Sequence, residues 1–490
     1  MSKVKDSFIY LFILLLIIAD VGYSYQQYAL TQLDGDLVAI VAPSEGYSRV
    51  LQDPFGWSAF INNESYPATN RFMAHATLSA YYKTVPFLLQ SFVSPIESIY
   101  MASALAKILL HILIIGLIGW FISGLFDFGW KETVLGAALI SPLLQTARKY
   151  FEYMGVVDQS ITYAMFYVLP AICVLLVIVP FYKSALSNNA TIPLWVKPIL
   201  ILSIILLVFF GALPAPILII ASTITLLVLW WNNFQSITTS SFIQRTLNSI
   251  KKINIQLVLF FIFTILACLY SIYVGTKNSE NGWTPLPLSE RYGRLMHGIA
   301  DCFFKLDTGL LYVLIAIAIN IILLNLFYKK ASAAFFKISL LLTVFSILYI
   351  LLLPMGGYRA YRPFILRRDT LVPILMILYY CWGASSILLL KFFTGKWKLL
   401  FICFLCYICF IYEKADVLPD YTNVCEKAEL AIIASKTEDC VTLDRNCSIV
   451  NWAFVYVDKC EQSSSTASML FYWNITPRKI EFRHDPEVKK

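Results

Sequence analysis

Residues 101–124 read MASALAKILLHILIIGLIGWFISG, and only Lys107 and His111 among them can ionise. A helix that crosses the hydrocarbon core of a bilayer needs about 20 largely apolar residues, and this run is long enough. The same reading, carried outward, finds Phe8–Val21 upstream, then Thr133–Gln145, Ile161–Tyr182, Val196–Gly211, Pro216–Trp231 and Ile253–Val274. It continues through Thr308–Tyr328, Ile338–Pro354, Leu371–Leu390 and Leu399–Tyr412. The expectation is an all-α polytopic membrane protein of about eleven transmembrane helices. Composition agrees: the chain is 59% hydrophobic and 14% charged, with a mean hydropathy of +0.71. One water-soluble core could not bury so much apolar surface. No secretory cleavage site of small residues follows the first run, only Gly22-Tyr23-Ser24-Tyr25, so it reads as a retained span.

Alternate loops carry the basic residues: Lys131, Lys183, Lys197, Arg245, Lys251, Lys252, Lys329, Lys330, Lys337, Lys391, Lys396 and Lys398. Positive loops stay in the cytoplasm. The N-terminus is therefore expected inside and the C-terminal tail outside, in the periplasm of a bacterial inner membrane. The net charge of +8 is then a topology effect and no sign of nucleic-acid binding. Four long features fall on the outer face: Tyr23–Tyr100, Val274–Asp307, Met355–Thr370 and the tail from Glu413. The domain reading is a membrane catalytic part over 1–413, with an outer loop at 23–100 bearing interfacial helices, and a small tail over 414–490.

The tail holds Cys425, Cys440, Cys447 and Cys460. An even set in a small exposed segment reads as two disulfides with open connectivity, a framework suited to an oxidising compartment. Ile449–Val457 and Met469–Ile475 read as strands, so the tail is expected to be α/β or β-rich. Cys403, Cys406 and Cys409 lie in an apolar run and read as membrane packing.

The chain has no Walker loop, dinucleotide glycine fingerprint, HExxH, GxSxG or kinase set. The chemistry must then come from outer-face acids and bases. Asp34-Gly35-Asp36 places two carboxylates two residues apart, where each raises the other's proton affinity or the two share a cation. One of them could take a proton from an attacking hydroxyl. Gly35 reads as the residue that lets the backbone bend between them. A divalent cation held by Asp34 and Asp36 is the one cofactor this pattern admits. Arg71 and His75, four apart, would share a helix face fit for a phosphate. The loop from Gly356 carries Arg359, Arg362, Arg367 and Arg368 and no Lys. Arginine's planar fork grips phosphate oxygens bidentately, so this cluster points to an anionic ligand. Arg148 and Lys149 lie on the same side, followed by Asp158. Lys107 reads either as a functional intramembrane cation or as one that snorkels to headgroups.

A first helix, an outer loop with an acidic pair soon after it, interfacial helices, many further spans and a small outer tail together resemble GT-C class membrane glycosyltransferases. The stretch Asn70-Arg71-Phe72-Met73-Ala74, followed by Phe87–Pro95, is similar to the first outer loop of bacterial glucosyltransferases that modify O-antigen. The acidic motif differs, being Asp-Gly-Asp rather than an Asp-Glu or Glu-x-Asp pair. The resemblance implies a sugar moved from a polyprenyl-phosphate carrier to a cell-surface glycan or lipid acceptor on the outer face. Asp34 or Asp36 would be base or metal ligand, and the outer basic residues would hold the lipid phosphate. Two other readings stay open at this point: an O-antigen or capsule polymerase or ligase, and a polysaccharide or lipid transporter or flippase.

Overall fold

The computed structural model describes residues 2–146, 152–186, 192–238, 241–281, 286–356, 364–418 and 422–489. The chain is a helical bundle, and among the described residues nine helices are long and apolar enough to cross a membrane. The bundle opens with α1 (Ser2–Ala29). Five short helices follow: α2 (Asp36–Val41), α3 (Glu45–Gln52), α4 (Trp57–Ile61), α5 (Phe72–Tyr82) and α6 (Val85–Leu89). The chain re-enters the bundle with α7 (Pro95–Ser123) and α8 (Trp130–Ile140). Next come α9 (Ile161–Tyr163) and α10 (Leu169–Leu186), joined through a π-helical turn at Ala164–Val168 into one span, Ile161–Lys183. Beyond them are α11 (Val196–Leu207), α12 (Pro214–Ser236), α13 (Phe242–Lys251), α14 (Ile255–Gly275), α15 (Leu288–Phe304), α16 (Thr308–Phe327), α17 (Ala333–Leu352), α18 (Arg368–Phe392) and α19 (Gly395–Ala415).

Local chemistry fixes several of these ends. Ser94 accepts a hydrogen bond from Glu97 N and Pro95 occupies the first turn, so α7 starts there. Asp307 caps α16 through Leu310 N, and Asn254 caps α14 through Gln256 N. Helices α7 and α8 pack closely because Gly119 faces Gly136. A Cβ on Gly119 would lie 2.6 Å from the Thr133 carbonyl oxygen, a contact no larger residue tolerates.

Two expected spans are short. Helix α8 has 11 residues and α11 has 12, whereas about 20 are needed to cross 30 Å at 1.5 Å per residue. Pro142 ends the first in a 3-10 turn, and Gly211, at φ +121°, turns the chain after the second. Both nonetheless run alongside longer partners. Trp130 packs on Tyr10 and Thr146 bonds Gln27, so 130–146 accompanies α1 for most of its length. Likewise Lys197 reaches Gln256 while Ser271 donates to Val208, so α11 accompanies α14.

Lys107 is fully buried between α7 and α1, donating to Thr31 Oγ1 and lying over the Tyr28 ring. This corrects the snorkelling expectation: the ammonium finds its hydrogen-bond acceptor inside the bundle. The side chains of Cys403 and Cys406 are exposed on the apolar surface of α19 and are free thiols.

The tail contains α20 (Val424–Ser435), β1 (Cys440–Leu443), α21 (Ser464–Tyr472) and β2 (Glu481–His484). The strands pair in parallel, Cys440 opposite Glu481 and Leu443 opposite His484. The two strands expected from sequence are corrected. Residues 449–457 form an irregular loop, and Met469–Ile475 includes the end of α21, whose Met469 and Leu470 are buried. Their apolar character serves packing against β2 and the segment between α1 and α7 rather than a sheet ladder. The disulfides are Cys425–Cys447 and Cys440–Cys460. The tail docks on the segment after α1. Asn423 N donates to Leu30 O, and Trp473, wholly buried, donates its indole N–H to Tyr82 O.

Candidate functional site

The two carboxylates of Asp34-Gly35-Asp36 part company. Asp34 is buried and accepts three hydrogen bonds: Ser160 Oγ at 2.9 Å, Thr162 N at 3.1 Å and Thr162 Oγ1 at 2.6 Å. It clamps the end of the α1 segment to the first turn of α9, and those donors occupy both its oxygens. Asp36 opens α2 and is exposed. It faces a cavity of about 420 Å³ whose wall also includes Arg71, His75, Glu280, Arg367 and Trp452. Gly35 does not act as the flexible joint expected from sequence, since its φ of −70° is open to any residue. Its need is space. A Cβ there would lie 2.9 Å from Asn451 Oδ1 and 3.0 Å from Trp452 Cδ1.

Arg71 precedes α5, and its aliphatic stem lies against Gly211, where a Cβ would come within 3.2 Å of Arg71 Cγ. Among the described residues Arg71 makes no ion pair, so its charge is available to an anion. His75, one turn on, is buried beside Phe166, with ring centroids 5.2 Å apart. Burial, and then the neighbouring Arg71 charge, push its pKa down to about 4. His75 is therefore neutral at physiological pH and offers the cavity a hydrogen bond rather than a charge.

Of the arginine cluster, Arg367 reaches the cavity while sharing its charge with Asp369. Arg368 turns away and pairs with Asp158 in a nearly buried ion pair. Asp158 thus serves Arg368 and the Ser160 backbone. Arg359 and Arg362, and Arg148 and Lys149, lie outside the described residues.

Sequence reasoning missed Glu280, which accepts from Tyr47 at 3.0 Å, and the aromatic wall of Tyr163, Phe166, Tyr167 and Trp452. Glu280 sits just after α14 in a loop whose fold depends on Asn278 and Tyr66. Nothing local to 276–281 signals that contact. Asp34 and Asp36 do not form the shared cation site expected from sequence. The Asp34 oxygens are taken by hydroxyl and amide donors, and among the described residues no three His, Cys, Asp or Glu side chains converge on one point.

A second, larger space of about 730 Å³ lies between α10 and α11. Its walls are Leu176, Val177, Ile199, Leu200 and Leu207, with Lys183 and Trp195 at one end and Met73 and Phe210 at the other. Leu176, Ile199 and Trp195 are exposed, so the groove opens sideways through the apolar surface of the bundle. Met73 N donates to Phe209 O at 3.0 Å, fixing the start of α5 to the turn between α11 and α12. Met73 lines the groove, whereas Arg71 and His75, two residues to either side, line the cavity. Positions two apart on a helix face roughly opposite ways, so one turn of α5 is a wall common to both spaces. No protein-family model, no curated protein and no solved structure matches this chain.

Proposed function

We propose that the protein is a membrane glycosyltransferase that moves a sugar from a polyprenyl-phosphate carrier to a cell-surface glycan or lipid. In this reading the chain crosses a bacterial inner membrane eleven times, counting α8 and α11, with the N-terminus cytoplasmic and the tail periplasmic. The lysine distribution and the two tail disulfides support that orientation.

The observation that carries the proposal is the shared wall of α5. An apolar groove open to lipid on one side and a polar cavity with an uncommitted arginine on the other match an amphiphile: a long hydrocarbon chain, an anionic head and a polar group beyond it. The isoprenoid lies along Leu176, Leu200 and Leu207. The phosphate meets Arg71 and Arg367, with neutral His75 donating a hydrogen bond. A hydroxyl oxygen of the acceptor attacks C1 of the sugar as the bond from C1 to the phosphate oxygen breaks. Asp36 takes the hydroxyl proton. The two guanidinium groups hold the charge that builds on the departing phosphate. The polyprenyl phosphate leaves and the new glycosidic bond remains.

The test is binding to protein in lipid nanodiscs. Undecaprenyl phosphate should bind, undecaprenol should bind at least tenfold more weakly, and Arg71→Ala should shrink that difference about tenfold, because a charge-assisted contact contributes about 1.5–3 kcal/mol. Equal binding of alcohol and phosphate by the wild type would overturn the proposal.

A further inference from the structure

Among the described residues the tail contributes one side chain to the cavity, and it is an unusual one. Trp452 is 47% exposed, although indole is among the most costly side chains to leave in water. It stands edge-on to Tyr163, with centroids 5.3 Å apart and planes at 71°. Tyr163 in turn lies parallel to Tyr167 at 5.5 Å. The three rings line the cavity together with Asp36, Arg71, His75 and Glu280.

The loop that carries Trp452 is held in place by several independent ties. It begins at Cys447, which is bonded to Cys425. Val450 N donates to Glu426 Oε1 at 2.7 Å, and the same carboxylate takes Leu33 N on its other oxygen at 3.1 Å. One side chain thus binds the Trp452 loop to the residue before Asp34. Val450 has φ +44°, a conformation that a β-branched residue adopts only under strain. Asn451 Oδ1 accepts from Trp452 N at 2.8 Å. Gly35, between the two aspartates, lacks the Cβ that would push Asn451 and the indole away.

We infer that the Trp452 indole is a stacking platform for a pyranose ring, walled on one side by Tyr163 and Tyr167. The tail therefore supplies the sugar-recognising surface of a site whose charged groups come from the membrane part. This rests on the glycosyltransferase reading and specifies how that site selects its substrate. A hexopyranose carries hydroxyls around its edge and patches of C–H on its faces. An indole covers such a face by dispersion and apolar burial, leaving the hydroxyls to the carboxylates of Asp36 and Glu280. Bare polyprenyl phosphate has no such face and does not use the platform. Trp452 is thus a specificity-determining residue, and it takes no part in moving the proton.

The experiment measures affinities of full-length protein in nanodiscs for undecaprenyl phosphate and for its glucose, galactose and mannose derivatives. For the wild type, at least one hexose lipid should bind more tightly than the bare phosphate. Trp452→Ala should weaken that lipid about tenfold, the scale of one aromatic contact with its buried area, and leave bare undecaprenyl phosphate within about twofold. Trp452→Phe should recover most of the loss. Gly35→Ala, which displaces the loop and leaves the indole intact, should reproduce the selective loss and keeps the test open should Trp452→Ala misfold. No preference for any hexose lipid, or an equal loss for bare and sugar-bearing lipids, overturns the platform while leaving the glycosyltransferase reading standing. A wild type that binds none of the four lipids overturns both.

Discussion

The groove between α10 and α11 and the cavity at Asp36 are separated by one turn of α5, yet they are built on opposite principles. The groove is walled almost wholly by aliphatic side chains and opens to the apolar surface of the bundle. It needs nothing but shape and hydrophobicity, and many substitutions of similar size would preserve it. The cavity places charged, neutral-polar and aromatic side chains from the outer loop, α9, α18 and the tail around 420 Å³. Each is held by a specific contact, such as Gly211 under Arg71, Asp369 against Arg367 and Glu426 behind Trp452. On the proposed reading, a ligand touching both spaces is apolar at one end and anionic at the other. Tolerance to mutation should differ as sharply as the walls do.

The largest expected effect lies within the cavity and distinguishes the two aspartates. Asp36→Asn should lower the transfer rate about 10²–10⁴-fold, the usual worth of a general base, with lipid-phosphate affinity unchanged. Asp34→Asn should act on folding. An amide keeps one acceptor oxygen where the carboxylate takes donors on both, and each donor left unpaired costs about 1–3 kcal/mol. Thermal unfolding in detergent and transfer by purified protein read the two effects. A stable, inactive Asp34→Asn beside an active Asp36→Asn would reverse the assignment.

The next effect is on the tail that completes the cavity. Burial pushes the Glu426 pKa up to about 7 from its ordinary 4.5, despite hydrogen bonds from Val450 N and Leu33 N. A carboxyl raised in the folded state binds more protons folded than unfolded. Its stabilising contribution is complete below about 4.5 and is lost as pH rises through about 7, a difference of at most about 3 kcal/mol. His75 has the opposite slope. With its pKa held near 4 against an ordinary 6.5, it costs stability as pH falls from about 6.5 towards 4. Unfolding midpoints measured from pH 4 to 8 should show the first slope flattened in Glu426→Gln and the second in His75→Gln. His75→Gln should also leave the pH limbs of transfer between 5 and 8 where they are. A limb near 6.5 that vanishes in this variant would mean that His75 titrates in the folded protein after all.

The smallest effect belongs to the groove. Ser203→Trp fills part of it and should weaken undecaprenyl phosphate only about fivefold, on the scale of a few methylene contacts. A short-chain prenyl phosphate that does not reach the groove should bind unchanged. Equal weakening of both lipids would show that groove and cavity do not share one ligand.

The spans were legible in the sequence because lipid imposes length and hydropathy on each run separately, so Met101–Gly124 announces itself without its neighbours. Helices α8 and α11 were legible as apolar runs, but their shortness depends on where Pro142 and Gly211 break them. Arg71, His75, Asp36 and Arg367 each stand out in the sequence as local patterns of charge between apolar runs, and the four line one cavity. Which of Asp34 and Asp36 faces it was not legible, because the answer lies in Ser160 and Thr162, more than a hundred residues away. The tail was misread for a similar reason. Its apolar residues at 449–457 and 469–475 alternate or cluster as strands do, but disulfides, Glu426 and the outer loop dictate their geometry. Gly35 looked like a hinge and proves to be a clearance, visible only once Trp452 is in place.

The most direct measurement is a density map of the protein in nanodiscs with undecaprenyl phosphate bound. The account predicts phosphate density in the Asp36 cavity against Arg71 and Arg367, with the isoprenoid passing over Met73 into the groove between α10 and α11. Phosphate density at the opposite end of the bundle, near Lys183 and Lys197, or an isoprenoid lying along any other helix pair, would contradict it.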